Sequence, residues 1–456
     1  MIPATESGRS QGHAVLGTTA ATVVIMACNV VTGLIAARSL GPTGRGELTT
    51  ITVWGATLLY AGTLGLPEAV AYFAATERKS RDLVWATGQT AALVLGLVVT
   101  LIGWWLLPTI LANHGAELAG SVRWYLVWFA VPCFGSLCAS AWLQGTGSLV
   151  AFNLSRVSVH AVHAAGMIVL LLAGISAVQP FVAVLLLGNA ATWCIAAGLG
   201  PWTRLLTTAP SIDLAKRMVH YGARVQFGSW ANAANMRLDQ LLLSLFAPAA
   251  SLGLYVVAVS YAGVLLMIPV SAALVMLPEV VRQHQAGAAR ACVERWCRRV
   301  LWAMVLGGAV LAPLGVIAVP MLFGGAFQVA VPLAALLVPA TVILGMNHVV
   351  SAAFRGIGRP EIGSTSEVVG VAVTIAALAA LLPRYGVYGA AAASLLAYGA
   401  SHLYLARKAV IVFASDAKSL YIPTRDDLTA LRHACAKAVH RVTRGPSRQS
   451  IGTQVL

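Results

Sequence analysis

The sequence predicts an all-α membrane protein with about twelve transmembrane helices in two pseudo-symmetric six-helix lobes around a central cavity. Of its 456 residues, 59% are hydrophobic and 10% are charged, whereas a soluble domain has roughly 45–50% apolar and 25% charged residues. Mean hydropathy is +0.81, and the apolar residues form many runs of the about 20 residues that one crossing requires. A soluble globular protein is therefore excluded.

Apolar runs bounded by charge, glycine and proline predict the individual helices. Only two basic side chains, Arg9 and His13, precede the first apolar run, and no small-residue cleavage site follows it. We therefore expect it to remain as a helix rather than to leave as a signal peptide. The predicted helices are 14–37, 47–75, 83–107, 123–145, 150–174, 178–202, 221–246, 252–281, 299–321, 328–353, 362–382 and 386–408.

Basic residues indicate the orientation of these helices. The chain has 30 Lys and Arg against 15 Asp and Glu. The basic residues lie mostly between the apolar runs, so we interpret them as determinants of membrane orientation and expect no nucleic-acid partner. With a cytoplasmic N-terminus, the cytoplasmic segments and adjoining helix ends hold 25 of the 30. The outer connections hold Arg38, Arg45, Arg123 and Arg384. This bias predicts that both termini are cytoplasmic.

The helix order divides the chain into five segments. These are a cytoplasmic tail (1–13), an N-lobe (14–203), a cytoplasmic linker (204–220), a C-lobe (221–408) and a basic cytoplasmic tail (409–456). The basic tail is typical either of an amphipathic helix on an anionic leaflet or partner, or of a solvated segment. The seven cysteines are odd in number and form no CxxC, so we expect no disulfide framework, metal site or cofactor.

An internal repeat points to a transporter. At an offset of 211 residues, Pro67-Glu68-Ala69-Val70 matches Pro278-Glu279-Val280-Val281, and Gly145-Thr146-Gly147 matches Gly356-Ile357-Gly358. A duplicated unit of six helices keeps one orientation in both copies, and transporters built in this way bind substrate where the repeats meet.

Polar side chains form stripes on three of the predicted helices, at the spacing of one helical face. Such groups are costly in lipid, so we expect them to line a cavity or to pair. Threonines at the same spacing are also explained by hydroxyl bonds to their own helix. The substrate-binding candidates are Asn29, Asn153, Arg156, His160, His163, Asn232, Asn235 and Arg237.

Three acidic residues are candidates for ion coupling: Asp239, Glu367 and Glu68. Asp239 lies 200° around its helix from Arg237, so the two are not a simple intrahelical pair. Arg237 either joins two helices or binds an anionic headgroup. Glu367 corresponds to Arg156 at the repeat offset, which suggests either a pair that forms in one conformational state or two solvated helix ends. Glu68 has the alternative role of a helix-end residue.

Several stretches resemble the polysaccharide transporter family of lipid-linked oligosaccharide flippases, within the multidrug/oligosaccharidyl-lipid/polysaccharide exporter superfamily. The segment AARSLGPTGRGELTTITVWGATLLYAGTLGLPEAVAYFAA (36–75) is similar to its first two helices. The segment at 236–281, beginning MRLDQLLLSLF, is similar to its helices seven and eight. Further similar stretches are LFGGAF (322–327), SAAFRGIGRP (351–360) and RYGVYGAAAASLLAY (384–398).

This resemblance implies a flippase that moves a polyprenyl-diphosphate-linked oligosaccharide from the cytoplasmic to the outer leaflet of a bacterial plasma membrane. It implies alternating access, coupling to H⁺ or Na⁺, and polysaccharide polymerase or ligase machinery as further partners. The arginines and histidines named above suit a diphosphate, and the amides suit sugar hydroxyls.

Two other functions remain open. A multidrug or cation antiporter of the same superfamily would favour acidic cavity residues, whereas here bases are as numerous as acids within the spans. A membrane-embedded polysaccharide biosynthesis enzyme would require clustered acid and base residues. The sequence shows no such constellation and no GxxxxGK[ST], so we expect no catalytic residues and no enzymatic activity.

Overall fold

The computed structural model describes residues 4–111, 116–424, 427 and 429. Side chains are described from Gly17 onward, apart from positions 116, 205, 206, 227–229 and 231–233. The described residues form α-helices and short 3₁₀ turns, and no strand occurs among them. The helices are α1 (Ala4–Gly62), α2 (Leu66–Thr76), α3 (Arg81–Ile110), α4 (Ala116–Gly145), α5 (Leu149–Leu172), α6 (Val178–Leu199), α7 (Arg204–Thr207), α8 (Ile212–Phe246), α9 (Ala249–Ala262), α10 (Met267–Gln285), α11 (Ala289–Phe323), α12 (Val331–Gly356), α13 (Pro360–Val412) and α14 (Ala417–Tyr421).

Nine helical stretches among the described residues are long and apolar enough to cross a membrane. Two of them, in α1 and α13, each contain a glycine with non-helical backbone angles and so consist of two membrane-length segments. The 35-residue α8 adds one more, although its polar side chains lower its hydropathy. The described chain thus has a counterpart for each of the twelve predicted helices, and the predicted polytopic all-α architecture is confirmed.

The two glycines turn the chain between consecutive helices. Gly41 has φ +64° and Gly386 has φ +54°; this left-handed region is open to glycine because it has no Cβ. Pro42 follows the first of them and carries no backbone N–H, so it suits the first turn of a new helix. The connections at Gly41 and Gly386 are therefore tight turns rather than loops.

Two predicted helices are each broken in the structure. The predicted helix 47–75 is divided at Leu64 (φ +47°) and Gly65 (φ +67°), and Pro67 lies in the first turn of α2. The predicted helix 252–281 is divided into α9 and α10 by a 3₁₀ turn at Gly263–Leu266. Continuous apolar runs predict burial in the bilayer, but a break of two to four residues inside such a run leaves its hydropathy unchanged.

Packing divides the chain into two compact units. The first comprises Met1–Ala262, Leu314–Leu337 and Gly370–Ala397. The second comprises Gly263–Pro313, Val338–Val369 and Tyr398–Leu456. Several unit boundaries fall inside α11, α12 and α13, so these helices contribute residues to both units.

In the first unit, the second segment of α1 lies directly against α8 and α9 at glycines. A Cβ on Gly46 would come within 1.7 Å of the carbonyl oxygen of Ala249, and one on Gly253 within 1.9 Å of that of Pro42. Near the other end, a Cβ on Gly65 would come within 2.1 Å of the Gly222 carbonyl oxygen. These backbone contacts require glycine, because a side chain at any of the three sites would displace a helix.

In the second unit, the chain after α13 is bound to the helices rather than solvated throughout. Arg298 donates from Nε to Asp427 at 2.6 Å, and Arg299 donates to the other carboxylate oxygen at 3.1 Å. Tyr421 accepts a hydrogen bond from Trp302 Nε1 at its carbonyl oxygen (3.0 Å), and its hydroxyl lies 3.0 Å from His402 Nε2. The remainder of the predicted basic tail lies outside the described residues.

The charge of Asp427 is well satisfied in this segment. Burial by itself would raise the pKa of the carboxyl group, but hydrogen bonds from Arg298, Thr424 and Arg299 outweigh it and hold the pKa well below its ordinary value. Burial raises the pKa of the neighbouring Tyr421 hydroxyl above its usual range. At neutral pH, Asp427 is therefore ionised and Tyr421 is neutral.

Candidate functional site

In the first unit, polar side chains join α5 to the first segment of α1 at two levels. Asn153 donates from Nδ2 to the Thr18 hydroxyl at 3.1 Å. Two turns further along α5, His160 Nδ1 lies 2.9 Å from Asn29 Oδ1. The polar stripe predicted on α5 and the one predicted on the first helix thus face each other.

Arg156 lies between these two levels on the same face of α5. It is half-buried, and its guanidinium carbon lies 5.4 Å from the centre of the Phe152 ring. Within the described part of the first unit, no carboxylate forms an ion pair with Arg156. Within that part of the unit, the guanidinium donors are therefore not engaged by a carboxylate.

A cavity of about 410 Å³ lies beside Arg156 and His160. Its size falls within the about 300–1,000 Å³ of typical ligand pockets. The walls come from α1, α2, α4, α5 and α6, and they combine apolar side chains with polar ones, of which Arg156 is charged. The polar residues that line it are Ser136, Ser140, Gln144, Ser155, Arg156, His160, Asn189 and Thr192.

The neutral polar residues of this cavity were not among the predicted site residues. Ser140 and Ser155 hydroxyls lie 2.9 Å apart, and Ser158 and Thr192 hydroxyls 3.2 Å apart. Asn189 donates to the Leu185 carbonyl at 2.8 Å, within its own helix. A serine in an apolar helix is common and gives little signal. The available signals are that Ser140 matches Ser351 at the repeat offset of 211 residues and that Gln144 and Asn189 are amides inside predicted spans.

His163 belongs to the same predicted stripe, but it does not line this cavity. Its Nε2 lies 3.1 Å from the Leu185 carbonyl oxygen on α6. Its ring packs on Gly188, where a Cβ would come within 2.2 Å of the ring carbon Cδ2. The 100° advance per residue leaves His163 60° away from His160, which is enough to direct it to the neighbouring helix.

The predicted candidates on α8 lie on two opposite faces. Asp239 and Asn235 are buried, with 7% and 6% of their surface exposed, whereas Arg237 is exposed. This agrees with the 200° that separate Asp239 from Arg237 around the helix. The side chain of Asn232 lies outside the described residues.

Asp239 is surrounded by hydroxyl and amide donors of the first unit. Tyr255 of α9 donates its hydroxyl to Oδ2, and the backbone N–H of Gln240 donates to Oδ1 at 2.7 Å. The Tyr255 hydroxyl also lies 3.3 Å from that of Ser394 on α13. One helical turn before Asp239, Asn235 Oδ1 accepts a hydrogen bond from Thr374 of α13 at 3.4 Å. A buried carboxyl group with these neighbours is suited to holding a proton or a small cation.

The other two acidic candidates have different surroundings. Glu68 is exposed and lies in the first turn of α2, where the positive end of the helix dipole favours an acidic side chain. Glu367, in the second unit, is half-buried on α13 and is close enough to His348 of α12 for an electrostatic interaction. The pairing of Glu367 with Arg156 stays a prediction.

The matched family model describes a polysaccharide biosynthesis protein and covers residues 13–284, more than half of the chain. The chain belongs to the polysaccharide biosynthesis protein family. The resemblance of residues 36–75 and 236–281 to polysaccharide transporters is thereby confirmed. No curated protein matches the chain.

Solved structures of transporters share the fold of this family member. The structure titled lipid II flippase MurJ, inward closed conformation, aligns with a TM-score of 0.73 at 12% identity, over 94% of this chain and 92% of its own. An inward-facing multidrug resistance MATE family transporter of the MOP superfamily aligns with a TM-score of 0.65 at 13% identity, over 85% and 95%. A MOP superfamily transporter from Pyrococcus furiosus aligns with a TM-score of 0.52 at 16% identity, over 88% and 95%. The fold is thus that of MurJ and MATE transporters, and the protein is a multi-pass membrane protein.

Proposed function

We propose that this protein is a flippase that moves a polyprenyl-diphosphate-linked oligosaccharide across the membrane for cell-surface polysaccharide biosynthesis. The observation that carries the proposal is the cavity on α5, where Arg156 has no carboxylate partner in the described part of its unit. An arginine binds phosphate oxygens through two parallel hydrogen bonds. The serine, threonine and amide groups around it suit the hydroxyls of a sugar.

His160 and Asn29 would complete the polar end of this site. Their hydrogen bond joins α5 to α1 next to Arg156. Because the His160 ring and the Asn29 amide are bonded to each other, their remaining donors and acceptors point in fixed directions. Such an arrangement favours a ligand with both a charged group and several hydroxyls over an apolar cation.

The proposed direction of transport is from the cytoplasmic to the outer leaflet of a bacterial plasma membrane. The excess of Lys and Arg in alternate connections supports cytoplasmic termini. Two six-helix lobes would alternate access to the cavity, in line with the repeat at an offset of 211 residues. The product would pass to a polysaccharide polymerase or ligase, and the protein itself would act as a transporter and not as an enzyme.

An ion gradient would drive this cycle, with Asp239 as the coupling residue. Its carboxyl group is buried among the hydroxyls of Tyr255 and Ser394. Uptake of H⁺ or Na⁺ there would neutralise the carboxylate inside the membrane. Neutralisation changes the relative free energies of the conformations in which Asp239 is buried and exposed. Glu367 and Glu68 are the other two candidates for this role.

The proposal is tested in a deletion strain of the source organism, whose lipid fraction is analysed by mass spectrometry for polyprenyl-diphosphate oligosaccharides. We expect one defined species to accumulate in the deletion strain and in the strain that carries Arg156→Ala. The strain that carries Arg384→Ala, in an outer connection, is the matched control and should resemble the wild type.

The proposal is wrong if no lipid-linked sugar accumulates once other flippases are also deleted. Cells expressing the protein would then be tested for efflux of ethidium and norfloxacin, because an efflux activity that depends on Asp239 would identify a drug antiporter.

A further inference from the structure

A second, smaller cavity of the first unit lies between the second segment of α1 and α8. It has a volume of about 270 Å³, below the range of pockets for complete drug-sized ligands. Apart from one threonine hydroxyl and one arginine, its walls are aliphatic and aromatic. We call it the α1–α8 groove; its lining residues are Thr57, Tyr60, Ala61, Trp230, Ala234, Arg237, Leu238 and Leu241.

Arg237 lies in this groove among apolar neighbours. Ala234 and Trp230 precede it on one face of α8, and Leu241 follows it one turn later. The Tyr60 and Trp230 rings are 44% and 41% exposed and form flat apolar walls. Within the described part of the first unit, no carboxylate forms an ion pair with Arg237.

Two contacts between α1 and α8 lie on either side of Arg237. Trp54 Nε1 donates to the Ser244 hydroxyl at 3.1 Å, and Gln226 Nε2 donates to the Tyr60 carbonyl at 3.0 Å. Arg237 is therefore between two points where α1 and α8 are joined. At 1.5 Å per residue it is about 14 Å from the end of α8 at Phe246, roughly half of a 30 Å hydrocarbon core.

A guanidinium at this depth requires an anion or water, because an isolated charge in hydrocarbon is costly. A groove with apolar walls and one central cation is complementary to an amphiphile that carries a phosphate beside a hydrocarbon chain. A free anion would leave the aromatic and leucine walls without a partner.

We propose that the α1–α8 groove binds the first isoprene units of a polyprenyl-diphosphate carrier, with Arg237 against its phosphate. The inference rests on the proposed flippase function and assigns the carrier to a defined surface, which it occupies at a different stage of transport from the diphosphate site at Arg156. The small volume admits a short length of chain, while the remaining chain stays in the bilayer. This groove is separate from the Arg156 cavity, and the two share no lining residue.

The test measures binding of sugar-free polyprenyl diphosphate and of inorganic diphosphate to the purified full chain in nanodiscs. Arg237→Ala should weaken polyprenyl diphosphate binding by roughly tenfold, the loss expected for one charged contact, and Arg237→Lys by less. Ala61→Phe, which fills the groove, should weaken polyprenyl diphosphate binding similarly but leave inorganic diphosphate binding unchanged. Arg224→Ala on the same helix and Ala309→Phe on an exposed face of α11 are the matched controls and should bind as the wild type does.

Three outcomes would overturn the inference. If Arg237→Ala and Ala61→Phe bind like the wild type while Arg156→Ala does not, the groove is not a substrate site but the flippase function stands. If phosphatidylglycerol displaces the polyprenyl diphosphate from Arg237 equally well, the groove binds bulk anionic lipid. If the wild type binds no polyprenyl diphosphate, the groove does not bind the carrier, and the lipid analysis of the deletion strain decides the proposed function separately.

Discussion

The cationic face of α5 and the acidic face of α8 satisfy their charges in different ways. Asp239 on α8 is 7% exposed, and protein hydroxyl and backbone groups occupy both of its carboxylate oxygens. Arg156 on α5 is half-buried beside a cavity, without a carboxylate partner in the described part of its unit. Protein groups thus act as the counterparts of the acid, whereas no carboxylate in the described part of the first unit does so for the arginine. This difference is the basis for proposing that Asp239 holds a small ion and that Arg156 binds substrate.

The largest effect expected from this comparison is that of Arg156→Ala. Hydrogen bonds to charged groups contribute about 1.5–3 kcal/mol each, so transport of the lipid-linked oligosaccharide should fall by roughly 10- to 100-fold. Arg156→Lys should keep part of the activity, since it retains the charge but loses the planar pair of donors. Transport is measured as flipping of purified substrate in proteoliposomes.

His163→Phe is the contrasting variant for that experiment. His163 lies on the same helix but bonds to the Leu185 carbonyl on α6, so its loss should affect stability more than transport. Equal loss of transport in both variants would mean that the α5 stripe acts as a unit and that the Arg156 cavity is not the substrate site.

Asp239→Asn should remove the dependence of transport on the ion gradient. The amide keeps the size of the side chain and an acceptor for Tyr255, but it carries no charge. Moving one charge through a membrane potential of 100 mV releases about 2.3 kcal/mol, which corresponds to about a fiftyfold accumulation of substrate. The variant should lose this accumulation. Gradient-driven accumulation and exchange without a gradient are measured in the same vesicles.

Exchange without a gradient should persist in Asp239→Asn. If gradient-driven accumulation is unchanged, Asp239 is a structural residue, and the same measurement on Glu367→Gln becomes the test of coupling.

Asp427→Asn is expected to lower stability without changing the transport mechanism. Asp427, which lies outside the spans, accepts hydrogen bonds from Arg298 and Arg299. Loss of its charge should reduce the free energy of unfolding by about 1–3 kcal/mol at neutral pH. Because its pKa is lower in the folded state, the wild type has this advantage above the unfolded pKa, near 4, and loses it as the pH falls further.

Thermal unfolding of the purified protein at pH 7 and near pH 3 tests this sign. The difference in Tm between the wild type and Asp427→Asn should shrink at the lower pH. A difference that stays constant or grows would show that the Asp427 charge does not contribute through these arginines.

The smallest effect is expected for Glu68→Gln. Glu68 is exposed in the first turn of α2, and an acidic group at a helix N-terminus contributes about 0.3–1 kcal/mol. Gradient-driven transport should be unchanged, and Tm should fall slightly. A loss of coupling comparable to that of Asp239→Asn would instead place Glu68 in the ion pathway.

Periodicity and hydropathy predict most of the helices, but they do not predict the interruptions within two of them. The twelve predicted helices all have counterparts, because length and apolar content are properties of each segment alone. The break at Leu64 and Gly65 is accompanied by the contact of Gly65 with Gly222 on α8. That contact joins residues 157 positions apart in the chain, so no local pattern around Gly65 predicts it.

For the candidate site, the sequence by itself determined which residues share a helical face. It placed Asn153, Arg156 and His160 on one stripe and Arg237 opposite Asp239, because the angle between residues follows from the helix alone. Only the tertiary structure decided what each face meets. It directed His163 to α6, surrounded Asp239 with Tyr255 and the neighbouring N–H group, and left Arg156 and Arg237 beside cavities. Those partners come from distant helices, and their positions depend on how the helices pack.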